Sequence, residues 1–178
     1  MAGRMGRIIR NLRAFARQES TAQDRVDLTA ALQSALDLTR GRCEAAGVDI
    51  RYDPSPQAVW VRGGEVRLGQ VFVNLISNAV DAMEGRAEQR LEIDVTRGET
   101  VAVTFRDTGP GIEMPDKVFD PFYTTKQADE TAGMGLGLSI SYGIVQSIGG
   151  QIKGSNHAGG GAVFTVTLEP AAAEAAAA

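Results

Sequence analysis

The chain has 178 residues, a hydrophobic share of 43%, a formal net charge of −4 and one cysteine, Cys43. That length suits one main domain with enough apolar content for a core, the acidic balance argues against a general nucleic-acid binder, and a lone cysteine excludes an intrachain disulfide and suits a reducing compartment. No apolar run approaches the roughly 18–20 residues of a membrane span, and the basic N-terminus lacks the apolar core of a signal peptide. This piece is therefore expected to be soluble and cytoplasmic, within a parent that can still be anchored in an inner membrane upstream.

The first predicted element is an amphipathic helix in "RMGRIIRNLRAFAR", residues 4–17. Ile8, Leu12 and Phe15 recur at helical spacing, with Met5 and Ile9 beside them. Arg4, Arg7, Arg10 and Arg13 form the opposite stripe, which a solvated face explains. The apolar stripe calls for another helix or a second copy of the chain. A short extended start at Val26 and Leu28 leads to Thr29 as N-cap, then to a helix through Leu32 and Leu36 that stops at Gly47. "VDIRYD" alternates as a strand, "PSP" breaks it, and "AVWVR" is a second short strand. "GGEVRLGQVFVNLISNAVDAM" reads as a long, largely buried helix with Leu68, Val71, Phe72, Leu75, Ile76 and Val80 inside. "RLEIDVTRGETVAVTFRD" reads as two strands joined at Arg97, Gly98 and Glu99. Residues 108–134 show no period, and a loop of that length in a compact domain is usually functional or disordered. A helix from about Gly135 to Ser147 follows, then a hairpin in "GQIKGSNHAGGGAVFTVTLEP" and a low-complexity tail, "AAAEAAAA". Hairpins outnumber crossovers, so the expected fold is α+β: a mixed, mostly antiparallel sheet with helices on one face, a two-layer α/β sandwich preceded by the N-terminal helix.

Four clusters can carry chemistry. Asn74 and Asn78 lie four apart on one face of the long helix, where asparagine is a poor apolar filler. An oxygen ligand for Mg²⁺ would explain Asn78, and bonding to neighbouring backbone is the alternative. In "FRDTGPGI", Asp107 ends a strand before Gly109 and Gly111. It could accept a hydrogen bond from an adenine amino group, or belong to an ordinary turn. "VFDPFYTTK" offers Phe119 and Phe122 as anchors for a lid, with Thr124, Thr125 and Lys126 as donors for a terminal phosphate. In "GMGLGLS", Gly133, Gly135 and Gly137 run directly into a helix, whose free N–H groups and positive dipole end suit a phosphate.

In this order the clusters resemble the N box ("NLISNAVDAM"), first glycine box ("DTGPGI"), F box and second glycine box of the catalytic, ATP-binding domain of sensor histidine kinases. That domain has the Bergerat fold, shared with gyrase-type topoisomerases, the ninety-kilodalton heat-shock chaperones and mismatch-repair ATPases. The likeness spans about residues 26 to 168, and "DPFYTTK" with "GLGLSISYGIVQSIGG" is most like the nitrogen-regulation and dicarboxylate sensors. The resemblance implies ATP and Mg²⁺ as cofactors, with Asn78 as the metal ligand and Asn74 at the phosphate end. Asp107 would hold the adenine amino group, Gly109 and Gly111 would shape its pocket, and Gly133, Gly135 and Gly137 would hinge a lid over the phosphates. Lys126 would neutralise γ-phosphate charge during transfer. Asp81, Ile112, Phe122, Thr124, Thr125, Leu136, Leu138 and Thr165 would complete the site.

ATP-hydrolysing relatives carry a glutamate where this chain has Asn74, and asparagine cannot act as a general base. The resemblance therefore implies a kinase rather than a steady ATPase. The one histidine, His157 in "SNHAGGG", is followed by Ala158 and sits on no helical pattern, so it reads as a surface turn residue. The phospho-accepting histidine must then come from outside this segment. Residues 1–20 resemble the end of the second dimerisation and phosphotransfer helix, 21–170 the ATP-binding domain, and 171–178 a tail. Expected partners are the acceptor helix of the same or a partner sensor, a response regulator receiver domain and, weakly, a second copy through the N-terminal helix. The competing readings are a nucleotide-gated interaction module without catalysis and an ATPase of the chaperone or topoisomerase branch.

Overall fold

The computed structural model describes residues 25–123 and 136–172; the expected N-terminal helix lies outside them. The elements run β1 (Arg25–Asp27), α1 (Leu28–Ala46), β2 (Asp49–Tyr52), β3 (Trp60–Arg62), α2 (Glu65–Met83), β4 (Arg90–Arg97), β5 (Val101–Asp107), α3 (Gly137–Ser147), β6 (Gln151–Asn156) and β7 (Ala162–Leu168).

α1 starts earlier than the sequence suggests. Asp27, not Thr29, is the N-cap: its Oδ1 accepts from the N–H groups of Thr29 and Ala30 at 3.0 and 3.4 Å. The strand therefore passes into helix without a turn, and Thr29 lies inside the first helical turn. The helix ends at Gly47, whose φ of 72° is the left-handed value glycine adopts freely. In α2, Leu68, Val71, Phe72, Leu75, Ile76 and Val80 are all buried, with Ala79 and Met83 extending the row. Those positions repeat at three and four, the period of one helix face.

The main sheet has the order β2-β4-β5-β7-β6. Its one parallel pair is β2 with β4, and the other neighbours are antiparallel. A parallel neighbour needs a long crossover, and here that connection carries β3 and α2. β5 and β7 alternate fully and half-buried residues. Val101, Val103 and Phe105, with Phe164, Val166 and Leu168, line the buried face. α2 covers it, its Phe72 ring 5.8 Å from that of Phe105; α1 and α3 flank α2. Each large side chain fully buried there contributes about 1.5–3 kcal/mol. This is the expected α+β, two-layer arrangement. A second small sheet pairs β1 with β3. Among the described residues no helix is long and apolar enough to cross a membrane.

The inner row of β5 is apolar until its last residue, Asp107. A carboxylate at the end of an apolar row marks where the core gives way to a polar site.

Candidate functional site

Asp107 is 3% exposed. Its Oδ1 accepts from the N–H of Gly109 at 2.8 Å and of Ala162 at 3.1 Å. Its Oδ2 accepts no hydrogen bond among the described residues, so only one of the two oxygens is held. Burial raises the carboxyl pKa above the ordinary value; the two backbone N–H groups and, more weakly, Arg86 pull against that rise. Two glycines make this packing feasible. A Cβ on Gly109 would stand 2.8 Å from Asp107 Oδ1 and 3.2 Å from the Ala82 carbonyl of α2. Gly161 has φ +87°, and a methyl there would run into the Asp107 carbonyl. Thr108 fastens the next residue: its Oγ1 donates to the Glu88 carbonyl at 2.9 Å and accepts from Arg90 N–H at 3.0 Å.

α2 brings its asparagines to the same side, since Ala82 on that helix packs against Gly109. Asn74 Nδ2 donates to the Gly137 carbonyl at 3.3 Å and to Ser141 Oγ at 3.2 Å. It therefore brackets α3 onto α2, which leaves its Oδ1 unbonded among the described residues. Ser141 is fully buried. Asn78 is half-buried and its side chain makes no hydrogen bond among the described residues. Its amide is open to a further partner, and its oxygen is a ligand type that Mg²⁺ takes. Among the described residues no three His, Cys, Asp or Glu side chains gather. Asp81 is engaged elsewhere, paired with Arg42 of α1.

α3 begins at Gly137 behind Leu136, and no side chain caps its first N–H groups. Leu136 and Leu138 are half-buried, and Leu138 packs on the core. Ile112 also packs there, while Gly111 holds φ +88°. Phe119 is the anchor expected of the loop, its ring 5.6 Å from Tyr142 and 6.2 Å from Phe164. Phe122 is not: it is 69% exposed with φ 66°. Thr165 needs correction too. It lies on the face of β7 away from the helices, opposite Thr104, its hydroxyl 3.5 Å from that of Thr104. Strand alternation puts it on the wrong side, and the group that reaches Asp107 is the N–H of Ala162. Thr124, Thr125, Lys126, Gly133 and Gly135 lie outside the described residues. His157 is exposed in the β6–β7 turn, its Nδ1 accepting from Gly159 N–H at 2.9 Å.

Sequence reasoning missed Thr108, Ser141, Asn156 and the Ala162 N–H. A signal existed for Asn156, a polar residue in the inward register of Ile152 and Gly154. None existed for a backbone N–H.

A carboxylate with one oxygen held, two amide oxygens without donors among the described residues and an uncapped helix N-terminus suit a nucleotide. A family model described as "Histidine kinase-, DNA gyrase B-, and HSP90-like ATPase" matches residues 63–172. The chain belongs to this family. Within it, the chain is 36% identical over 171 residues to the C4-dicarboxylate transport sensor protein DctB of Pseudomonas aeruginosa, covering 94% of this chain and 28% of DctB. It is 36% identical over 177 residues to the sensor protein FixL of Bradyrhizobium diazoefficiens, covering 96% of this chain and 34% of FixL. The chain thus spans about a third or less of these relatives. Among solved structures, the nucleotide-free catalytic domain of histidine kinase ThkA is 28% identical with a TM-score of 0.70, covering 83% of this chain and 96% of that one. ThkA in complex with response regulator protein TrrA gives a TM-score of 0.72 at 24% identity, covering 94% of this chain and 47% of that one, a likeness of fold. The dicarboxylate-sensor resemblance read from "DPFYTTK" and "GLGLSISYGIVQSIGG" agrees with the DctB match, and the ATPase family implies a nucleotide site.

Proposed function

We propose that this chain is the ATP- and Mg²⁺-binding catalytic domain of a cytoplasmic two-component sensor kinase, acting on a histidine that another segment supplies. The observation that carries this reading is the asymmetry of Asp107: Oδ1 is held by two backbone N–H groups while Oδ2 has no donor among the described residues. Oδ2 would accept from an adenine amino group. Asn78 would supply an oxygen to the ion. When bound, that ion would neutralise charge on the transferring phosphoryl group. The α3 N-terminus would hold phosphate oxygens, and Lys126 and the threonines before it would meet the terminal phosphate. Asn74 supports transfer over hydrolysis. Its amide brackets α3 and offers no base to activate water.

A response regulator would receive the phosphoryl group, as the pairing of ThkA with TrrA suggests by analogy. Residues 1–20 would continue a helical hairpin through which two copies associate weakly.

Titration calorimetry with a non-hydrolysable ATP analogue tests the site. Micromolar-range, Mg²⁺-dependent binding is expected of the wild type. Asn78→Ala should abolish the Mg²⁺-dependent gain. Asp107→Asn should weaken the analogue by ~10- to 100-fold while sparing tripolyphosphate. Equal affinity with and without Mg²⁺ would overturn the metal role, and equal loss for both ligands would overturn the adenine role. Phosphotransfer to an added acceptor hairpin separates a kinase from a nucleotide-gated interaction module.

A further inference from the structure

The last rung of the β6–β7 ladder pairs Asn156 with Ala162. Both residues bond to the chain at the end of β5 and just beyond it. The N–H of Ala162 donates to Asp107 Oδ1 at 3.1 Å. The side chain of Asn156 takes both backbone groups of Ile112: its Oδ1 accepts from Ile112 N–H at 2.6 Å, and its Nδ2 donates to the Ile112 carbonyl at 2.9 Å. That is the two-bond exchange a residue makes with its partner on a neighbouring strand, made here by a side chain to a segment that is not a strand. Only a short carboxamide does this. It offers a donor and an acceptor in one plane, whereas an ionised aspartate would face the Ile112 carbonyl with a second acceptor.

The residues around this contact are shaped for it. Gly111 holds φ +88°, and a Cβ on it would stand 2.7 Å from Asn156 Oδ1. Two positions back on the inner row of β6, Gly154 leaves a notch. A Cβ there would lie 3.0 Å from Ile112 Cδ1, 3.1 Å from the Phe164 ring and 3.3 Å from Val118. The Ile112 side chain fills the space that a larger residue at 154 would take, and Asn156 clamps its backbone above that notch. Asn156 is itself exposed, so water could satisfy its amide. The clamp therefore does little for global stability and much for where Ile112 sits.

We propose that Asn156 is a positioning residue for adenine-nucleotide binding: with Gly154 it holds Ile112 as a wall of the pocket, referenced to the same rung that orients Asp107. The proposal rests on the nucleotide reading above and adds a residue which that reading did not contain.

Asn156→Ala removes both bonds; Asn156→Asp keeps the acceptor and loses the donor. Two measurements on the full chain test them: hydrogen exchange at the Ile112 amide, and affinity for ADP against inorganic tripolyphosphate. In Asn156→Ala, the Ile112 amide should exchange faster, and ADP should bind about fivefold to tenfold more weakly. Tripolyphosphate affinity and the thermal midpoint should hardly move, because a purely structural defect would weaken both ligands together. Asn156→Asp should also weaken ADP selectively. Unchanged ADP affinity in Asn156→Ala, or an equal loss for ADP and tripolyphosphate, overturns the proposal. Wild-type protein that binds no ADP overturns the nucleotide reading itself and the proposal with it. The Ile112 exchange rate, which needs no ligand, tells that failure apart from failure of the clamp.

Discussion

Asp107 is the residue whose environment says most about the site. Its carboxyl pKa is raised, chiefly because burial disfavours the charged form. The sign of the consequence differs between folding and binding. For folding, a raised pKa contributes stability that is present below the unfolded value and lost as pH rises through the folded one. Asp107→Asn keeps an Oδ1 acceptor for Gly109 and Ala162 without the buried charge. It is therefore expected to be at least as stable as wild type at neutral pH and to lose that advantage on acidification, read from urea melts across pH. For binding as proposed, Oδ2 would accept an amino hydrogen only while it carries no proton. The affinity ratio of wild type to Asp107→Asn for an adenine nucleotide should fall as pH drops through the raised pKa, earlier than for an exposed carboxylate. Taking the ratio cancels titration of the nucleotide's own phosphates. A ratio flat with pH down to the ordinary aspartate range would show that Asp107 does not hold the base as a carboxylate. The cost of keeping this charge buried is the usual mark of a residue retained for chemistry rather than for packing.

Elements were legible where one period ran long enough to dominate. In α2 the apolar positions 68, 71, 72, 75, 76 and 80 announce both the helix and its buried face, and all six are buried. The same regularity made Asn74 and Asn78 stand out. Termini were less legible, because caps depend on one side-chain geometry. Thr29 and Asp27 are both good N-cap types, and only the backbone shows that the helix begins at Leu28 with Asp27 accepting from two N–H groups. Asp27→Ala should therefore cost about 1 kcal/mol, whereas Thr29→Ala should stay within a few tenths of wild type. Urea midpoints decide this, and the reverse order would move the cap back to Thr29. Side choice on strands was legible in principle. Thr165 shares its parity with Val163 and Thr167, not with buried Phe164 and Val166, so alternation alone places it on the outer face. Phe122 could not be read this way. Apolar residues in an aperiodic loop carry no face information, and Phe119 and Phe122 look alike until one is seen packed on Tyr142 and the other exposed.

On the scale of the whole molecule, both ends of the described domain meet at one short strand. β1 pairs with one edge of β3. The segment after β7 pairs with the other edge: Arg62 N–H donates to the Glu169 carbonyl at 3.0 Å, Ala171 N–H to the Trp60 carbonyl at 2.9 Å, and Val61 bridges Pro170. Arg25 closes the ribbon, its guanidinium 3.8 Å from the centre of the Trp60 ring and its Nη1 3.5 Å from the Ala172 carbonyl. β3 alone is three residues long, too short to order its neighbours without both edges filled. The strap after Leu168 thus fastens the ribbon that leads into α1, although Arg25 and Ala172 are 147 apart in sequence. A chain ended at Leu168 loses two backbone hydrogen bonds and the Arg25 contact. It should be less stable by about 1–3 kcal/mol, with the Arg62 amide, whose acceptor is gone, exchanging markedly faster. Nucleotide affinity should change little, because Asp107, Asn78 and Asn156 stand on β5, α2 and β6. If truncation left Arg62 exchange untouched, the ribbon would not be fastened by the strap. If it weakened nucleotide binding as strongly as Asp107→Asn, the two ends of the molecule would be coupled through α2 rather than independent. The geometry favours independence: β3 runs through Gly63 and Gly64 into the start of α2, whereas Asn74, Asn78 and Ala82 lie in its second half.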